Sequence, residues 1–519
     1  MVNVVVVVVV VDSFNNLPRE ISLNFQSRLH SSLAAFFIHY GMINNSQNKK
    51  SAFLVILGLA LAWVIGAYGS PMGFPLEGND IFRERSRWII AIAGLAGIAL
   101  LPGTKIFPRL PWTLWVCFGF LILWGCFMVI NAHSEMNIYR TRWIMIKDRP
   151  FPDLPGSPVA SATKKFTFEI IAVFLFIIAI ARSAESAVWK RIITAFALAS
   201  LSVALIGMTH KILGIETVWG ITDEQPELIF APYIYNGNAA SMMNLGVIIA
   251  LSLALTTYRK NGSGLFFYLW LCCGAVIGIA ILAASSKAGA LILIGQLGLF
   301  VLLEGKTLLK IIHSKRRRKL KMSLEKKMAL GASAIILAGF TIISTGLLNT
   351  RFQEMFEDIE NTGEASTIEG RVEMMKLMMK LSADPEEAYW HGIGPGTFPY
   401  VTPYYRQDPE SKIIGVWEYG HCDPLQTIMD WGYFGALAWF TIGIGGVARG
   451  AYLLLKDKVP ENDLHLVKGI VISLIGVGIH SSFDFPLSIL SIHLIAISYC
   501  VILWCIYRGQ KSDELDSTS

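Results

Sequence analysis

The chain has 519 residues, of which 54% are hydrophobic and only 16% charged, with a formal net charge of +6 at pH 7. Soluble domains carry about 25% charged residues, so the composition excludes an ordinary soluble protein. The apolar residues come in long blocks, and about 20 apolar residues cross a bilayer core of about 30 Å as a helix. The sequence therefore predicts an all-α, polytopic membrane protein.

The first fifty residues differ from the rest of the chain. Eight consecutive valines, Val4 to Val11, stand between Asn3 and Asp12. This run is too short to span a bilayer, and it lacks the basic residues and the cleavage site of a signal peptide. We interpret residues 1–50 as an N-terminal tail, and a mis-assigned start codon, with initiation at Met42, is an alternative.

Twelve apolar segments are predicted to be transmembrane helices. In chain order they are residues 51–69, 88–102, 112–131, 166–181, 191–209, 238–257, 265–284, 287–303, 328–348, 433–455, 466–483 and 486–507. The first nine fall in residues 51–348 and the last three in residues 429–507, which leaves a long loop at 349–428 and a C-terminal tail at 508–519.

The charges predict the orientation of the chain. Residues 304–327 hold ten Lys or Arg and two Glu, and such clusters favour the cytoplasmic side rather than indicating nucleic-acid binding. Alternation then places both termini in the cytoplasm and residues 349–428 outside. Residues 132–165 should also lie outside, yet they carry six basic residues. Either the number of spans is wrong there, or these cations meet an anionic partner.

The loop at 349–428 is long enough to be functional or disordered rather than a simple connection. Ser366 and Glu369 fit a capping box, which predicts that a helix begins there. The stretch "HGIGPGTFPYV" follows, and its glycines, among them Gly394 and Gly396, predict a tight turn that a ligand could approach closely.

The stretch "GHCDPLQTIMDWGYFG" places His421 and Asp423 directly before an apolar helix. In one interpretation, His421 is an interfacial histidine that solvates the helix end. In the other it is a general base, since imidazole titrates near neutrality and can accept a proton from a hydroxyl. Asp423 could orient His421, or cap the helix that starts at Pro424. No metal site is predicted, because His391 is the only further candidate ligand.

Several stretches together resemble the O-antigen ligase family. His421 and Gly432, with ten residues between them, resemble the family's H-x10-G element. The stretches "SSKAGALILIGQLGLF", "EGRVEMMKLM", "GIGPGTF" and "HSSFDFPLSI" resemble its other elements and occur in the family's order. The resemblance covers about residues 280–505.

The resemblance implies an integral-membrane glycosyltransferase of the bacterial inner membrane with its active site on the periplasmic side. Such enzymes transfer a glycan from an undecaprenyl-diphosphate carrier to an acceptor hydroxyl on a glycan or lipid, such as lipid A–core, without a metal or other cofactor. A ligase that inverts the anomeric centre is the preferred reading. A repeat-unit polymerase is the alternative. A transporter is the alternative from a different class, although the repeated halves and broken helices that it would need are not evident.

The resemblance also implies roles for individual residues. His421 and Asp423 would be catalytic, and Arg371 and Lys287 would bind the diphosphate as fixed cations. Lys287 stands where the family usually has arginine, so the charge is kept but bidentate phosphate recognition is lost. Asn238 is predicted to cap the sixth span or to contact the glycan or phosphate.

The remaining candidates are expected to support the site. Gly394, Gly396 and Gly432 would allow close backbone approach. Asp484 stands between two phenylalanines at the end of a span, where an unpaired charge is costly. It is predicted to pair with Arg371 or Lys287.

Overall fold

The computed structural model shows a bundle of long helices. It describes residues 46–67, 77–101, 110–136, 143–146, 148–184, 187–218, 221–222, 229–317, 363–384, 390–405 and 417–507. The helices are α1 (Ser46–Ala67), α2 (Glu77–Leu100), α3 (Trp112–Ile130), α4 (Ala160–Ala184), α5 (Val188–Leu213), α6 (Asn236–Asn261), α7 (Leu265–Ala283), α8 (Lys287–Arg317), α9 (Gly363–Ala383), α10 (Phe398–Tyr405), α11 (Asp423–Leu455), α12 (Leu464–Ser481) and α13 (Leu490–Cys505).

Strands are confined, in this part of the chain, to two short antiparallel hairpins. Strands β1 (Ser134–Met136) and β2 (Trp143–Ile146) pair between α3 and α4, and β3 (Thr217–Val218) and β4 (Ile221–Thr222) pair between α5 and α6. A single 3-10 turn, Pro486–Ser488, joins α12 to α13. The all-α class predicted from composition is confirmed.

Nine of the described helices are long and apolar enough to cross a membrane: α1, α3 to α8, α11 and α12. Helix α13 is a shorter apolar helix of 16 residues. Each predicted span coincides with a helix except 328–348, which lies outside the described residues. The valine run, Met42 and the tail at 508–519 also lie outside them.

Several helices extend beyond the predicted spans, α2 and α4 among them. Helix α2 begins at Glu77 instead of residue 88, and α4 covers Ala160–Ala184 instead of 166–181. An ion pair joins these two helices, in which Arg87 Nε lies 2.9 Å from Glu169 Oε2. Because the pair neutralises both charges, α2 can continue through Arg87, where the hydropathy of α2 alone predicted its end.

Helix α6 lies at the centre of the bundle, and 94% of the residues in its apolar 18-residue segment are buried. It packs against α5, α7, α8 and α12. Small residues allow these close crossings. Ser200 Oγ on α5 donates a hydrogen bond to Met242 O at 2.9 Å, and a Cβ on Gly246 would lie 2.2 Å from Ser200 Cβ. The first residues of α6 are therefore held in a fixed position.

Helix α11 bends at Gly432, whose φ of 66° and ψ of −179° are accessible essentially to glycine alone. The bend agrees with the predicted start of this span one residue later. The bend leaves backbone carbonyls of α11 free to accept hydrogen bonds from the glycine-rich turn. Ile393 N–H donates to Met429 O at 2.9 Å, and Gly394 N–H donates to Asp430 O at 3.0 Å. The turn and the bend thus form one paired unit.

The glycine-rich turn is as tight as predicted. Gly392, Gly394 and Gly396 have φ values of 77°, 100° and 78°, in the left-handed region that glycine occupies without strain. A Cβ on Gly392 would lie 2.4 Å from Gly432 N, and one on Gly394 would lie 3.1 Å from Ser157 Oγ. The turn is therefore wedged between the bend of α11 and the segment before α4.

Helix α9 starts earlier than the capping box predicted. It begins at Gly363, so Ser366 lies inside the helix rather than at its N-cap. Its buried face packs Met374 and Met378 against Phe398. A Cβ on Gly420 would lie only 2.4 Å from Met378 Sδ, so α9 rests directly on the residue before His421. This contact positions Arg371, which lies two turns earlier on α9.

Candidate functional site

His421 lies in the segment that leads into α11, with a φ of 49°. This left-handed conformation is uncommon for a residue other than glycine and is typical of functional sites held by their surroundings. Aromatic rings hold the imidazole: the ring centroids of His421 and Phe485 are 4.7 Å apart, and those of His421 and Trp417 are 5.1 Å apart. The side chain remains 19% exposed, so a substrate can reach it.

Asp484 fixes the orientation of His421. His421 Nδ1 lies 3.0 Å from Asp484 Oδ1. Because a carboxylate accepts hydrogen bonds, this contact assigns the proton to Nδ1 and leaves the lone pair of the neutral ring on Nε2. The pair has the arrangement of a histidine base oriented by a carboxylate.

Asp423, which the sequence placed beside His421, has other contacts. Its carboxylate accepts hydrogen bonds from Leu487 N–H at 2.8 Å and from Ser488 Oγ at 2.6 Å. It is not the N-cap either, because that position is Cys422, and no side chain caps α11. Both predicted contacts of Asp423 are therefore wrong. Its side chain holds the 3-10 turn that follows Asp484, and its own N–H donates to Asp484 O at 3.3 Å.

Tyr235 connects Asp484 to the arginine of α9. The Tyr235 hydroxyl donates to Asp484 Oδ2 at 2.9 Å, and Arg371 Nη2 donates to the Tyr235 hydroxyl at 3.2 Å. The pairing of Asp484 with Arg371 predicted from sequence is thus mediated by a tyrosine. His480 Nε2 lies 3.9 Å from Asp484 Oδ2 and adds a further polar group to the cluster.

The charges of the cluster determine the ionisation of Asp484, which is only 3% exposed. Burial alone would raise the pKa of this carboxyl, but the hydrogen bond from His421 and the electrostatic interactions with His421, Arg371 and His480 lower the pKa below its usual value. Burial and the Asp484 charge raise the pKa of Tyr235. Asp484 is therefore charged at neutral pH, and Tyr235 keeps the proton that it donates.

Asn238 and Lys287 lie at the starts of two neighbouring helices. Asn238 is not a cap, because the N-cap of α6 is Tyr235. Its side chain is 1% exposed, and no described residue bonds its Oδ1. Lys287 is the exposed first residue of α8. A Cβ on Gly289 would lie 2.4 Å from Ala240 Cβ, so the starts of α8 and α6 are in contact.

The sequence did not predict that aromatic residues surround the site. Phe485 stacks between Tyr235 and Tyr419, with ring centroids 5.4 Å and 4.6 Å away. In a membrane protein, aromatic residues at helix ends are expected at the lipid interface, so their presence gave no signal of a site. The available signal was adjacency, since Tyr235 precedes the "NGN" stretch and Phe485 follows Asp484.

A cavity of about 720 Å³ borders Tyr419, the last member of this stack. Charged side chains line part of it, and one pair joins Arg83 Nη1 to Glu418 Oε1 at 2.5 Å. Apolar faces of α11, α12 and α13 line the rest. The cavity is thus both polar and apolar, as a site for an amphiphilic molecule would be.

His391, the other histidine of the loop, lies in the glycine-rich turn, with Nδ1 2.6 Å from Gly392 O. Across the described ranges, no three His, Cys, Asp or Glu side chains are grouped so that they could hold a metal ion.

Fold and site together define a polytopic helical membrane protein with a histidine–carboxylate pair and an arginine at the end of its bundle. A family model described as O-antigen ligase matches residues 272–440. These residues are similar to the O-antigen ligase family, whose members are membrane glycosyltransferase-like enzymes of the ligase or polymerase type. No curated protein matches the chain. Lys287, Arg371 and His421 lie inside the matched residues, whereas Tyr235 and Asp484 lie outside them.

Proposed function

We propose that the protein is an O-antigen ligase-like glycosyltransferase. It moves a glycan from an undecaprenyl-diphosphate carrier to a hydroxyl of lipid A–core or a related surface acceptor. The observation that carries the proposal is the His421–Asp484 pair, 3.0 Å apart, with Arg371 joined to it through Tyr235. The family match over residues 272–440 supports the reaction class.

The proposed step is a single displacement at the anomeric carbon. His421 Nε2 takes the proton of the acceptor hydroxyl as its oxygen forms a bond to that carbon. The bond between the anomeric carbon and the diphosphate oxygen breaks, and its electron pair leaves with the lipid diphosphate. Attack from the opposite side inverts the anomeric centre. Asp484 stabilises the imidazolium that forms, as the carboxylate of a catalytic triad does.

The leaving diphosphate needs positive charge near its oxygens. Arg371 provides a guanidinium that the Tyr235 hydroxyl orients, and Lys287 provides an exposed ammonium at the start of α8. These cations are in place before the reaction, so the proposed step does not require a metal ion. The buried Oδ1 of Asn238 is suited to accept a hydrogen bond from a hydroxyl of the glycan.

The location follows from the charges. The ten basic residues in 304–327 favour the cytoplasmic side, and with a span at 328–348 this supports placing the loop that carries Arg371 and His421 on the other side of the membrane. We propose the bacterial inner membrane, with the site facing the periplasm. A lipid-linked donor would reach this site from the outer leaflet.

The replacement of His421 by asparagine tests the proposed base. The Asn amide can still donate to Asp484 in place of Nδ1, but it cannot accept a proton as Nε2 does. We expect His421→Asn to lower turnover roughly 100- to 10,000-fold, the usual contribution of a positioned base. The purified protein should remain folded in a thermal unfolding assay. His391→Asn, which alters the other loop histidine, is the control and should retain activity. Near wild-type turnover in His421→Asn would overturn the assignment.

A second measurement separates ligase from polymerase, which share the donor chemistry. A strain that lacks the gene is analysed for its surface and lipid-linked glycans. Loss of a ligase leaves polymerised glycan on the lipid carrier. Single repeat units on the acceptor would instead identify a polymerase and reject the ligase assignment.

A further inference from the structure

The cavity beside Tyr419 contains a buried carboxyl oxygen that the fold does not use. Asp430 lies on the first segment of α11, lines the cavity and is 5% exposed. Its carboxyl group faces the Gln426 side chain and the backbone N–H of Gly396. Among the described residues, none makes a hydrogen bond to Asp430 Oδ1. Since an unpaired buried polar atom destabilises the fold, this oxygen points to a ligand.

A second unused polar atom lines the same cavity. His493 Nδ1 lies 3.0 Å from Leu487 O, which assigns the ring proton to Nδ1 and makes Nε2 an acceptor in the neutral ring. Nε2 is shielded from solvent and has no hydrogen-bond partner in the described part of the chain. The His493 ring stands edge-on to Trp439 at 5.2 Å, which holds it in place.

These atoms favour hydroxyl groups over phosphate. Phosphate oxygens are acceptors and would face the acceptor Nε2 of His493, whereas a hydroxyl can donate to it. A hydroxyl can also pair with Asp430 whether the carboxyl is ionised or protonated. The arginines of the cavity already have carboxylate partners, since Arg87 pairs with Glu169 at 2.9 Å and Arg83 with Glu418 at 2.5 Å.

The rest of the lining suits a sugar with an apolar group attached. Tyr419, Trp439 and Phe440 present aromatic surface, on which the apolar face of a sugar ring can pack, and the adjoining helices contribute aliphatic side chains. A volume of about 720 Å³ lies within the usual range for small-ligand sites. We propose that this cavity binds a neutral carbohydrate carried on an apolar group, with Asp430 and His493 accepting hydrogen bonds from its hydroxyls.

The place of this site in the reaction rests on the proposed transferase function. Glu418, Tyr419 and Asp423 border the cavity, and they flank His421 in the chain. A carbohydrate bound here is the acceptor, and the hydroxyl nearest His421 is the one that is deprotonated. The diphosphate of the donor then lies on the Arg371 side of the aromatic stack. The binding itself does not depend on turnover.

Photolabelling tests the proposal. The probe is octyl β-glucoside with a diazirine on its alkyl chain, applied to the full chain in lipid nanodiscs, and labelled peptides are identified by mass spectrometry. We expect labelling of residues 417–431 and 490–500, measured relative to the lipid-facing helix α7. Asp430→Leu, which removes both carboxyl oxygens at similar volume, should reduce it about fivefold, since one hydrogen bond contributes about 1 kcal/mol. His493→Asn, which keeps a donor for Leu487 O but lacks Nε2, should also reduce it.

Thr427→Val is the matched control. Thr427 lines the same cavity, but its hydroxyl donates to Asp423 O at 2.7 Å within the helix, so its loss should leave labelling unchanged. A diazirine-bearing phosphatidic acid is the second probe. If it labels these peptides and the glucoside does not, or if Asp430→Leu and His493→Asn leave glucoside labelling unchanged, the inference is overturned. Glucoside binding by a wild-type protein that shows no glycan transfer would instead refute the proposed function and leave the site standing.

Discussion

The Tyr235 hydroxyl connects Arg371 to Asp484, and its removal tests the proposed site directly. Tyr235→Phe removes the donor to Asp484 Oδ2 and the acceptor of the Arg371 hydrogen bond. The ring remains and keeps its stacking on Phe485 at 5.4 Å. Without the hydroxyl, the remaining described neighbour of Oδ2 is His480 Nε2 at 3.9 Å, beyond hydrogen-bond reach. The change therefore separates Arg371 from the histidine–carboxylate pair without altering the packing.

The expected magnitude follows from the hydrogen bond to a buried carboxylate, which contributes about 1.5–3 kcal/mol. If the bond positions Arg371 for the transition state, its loss lowers kcat about 10- to 100-fold, since 1.4 kcal/mol corresponds to a factor of ten. The free energy of unfolding should fall by a similar amount, because the Asp484 carboxylate loses a donor. KM for the lipid-linked donor should change less than kcat.

The assay compares Tyr235→Phe with Tyr233→Phe in purified protein, by glycan transfer and by thermal unfolding. Tyr233 is 2% exposed, and its hydroxyl pairs with Ser491 Oγ at 2.8 Å. Its removal also costs a buried hydrogen bond but touches no residue of the site. We expect both variants to lose stability and only Tyr235→Phe to lose kcat. Equal transfer rates in the two variants would refute the positioning role of Tyr235.

Four further predictions concern the cations, the bend and the buried carboxylate. Arg371→Ala should lower kcat about 100- to 1,000-fold. Arg371→Lys should recover only part of this loss, because its single ammonium replaces the several N–H donors of the guanidinium. Full activity in Arg371→Ala would contradict its role at the diphosphate. Lys287→Arg should retain or raise transfer, and normal transfer by Lys287→Ala would remove Lys287 from the site. Gly432→Ala should lower the free energy of unfolding by about 3 kcal/mol or more, since its Cβ would lie 2.2 Å from Trp390 O. If this variant is as stable as the wild type, the bend is not as described. Because the pKa of Asp484 is lowered, its charge stabilises the fold above the pKa of an unfolded aspartate, about 3.9, and this contribution is lost as the pH falls through the lower folded pKa. The difference in unfolding free energy between wild type and Asp484→Asn should therefore be largest near neutral pH and shrink below about pH 4. A difference that grows in acid would contradict this.

The sequence alone determined the class of the protein and the outline of its site. Hydrophobic length decides whether a segment can cross a bilayer, and length is a local property, so the apolar segments coincide with helices wherever the structure describes them. The glycine-rich turn could be read in the same way, because positive φ selects glycine at the residue itself. His421, Arg371 and Gly432 stood in recognisable motifs, and the family match over residues 272–440 includes all three.

Only the tertiary structure decided which polar groups meet. Asp423, two residues from His421, was the natural partner in the sequence, yet Asp484, 63 positions away, accepts the hydrogen bond. Tyr235 and Arg371 meet across 136 positions. Such pairs depend on how helices cross, and the crossings depend on small residues and ion pairs spread over the whole bundle. For the same reason α2 was underestimated: Arg87, which seemed to end this helix, pairs with Glu169 on α4, and α2 does not carry that information by itself.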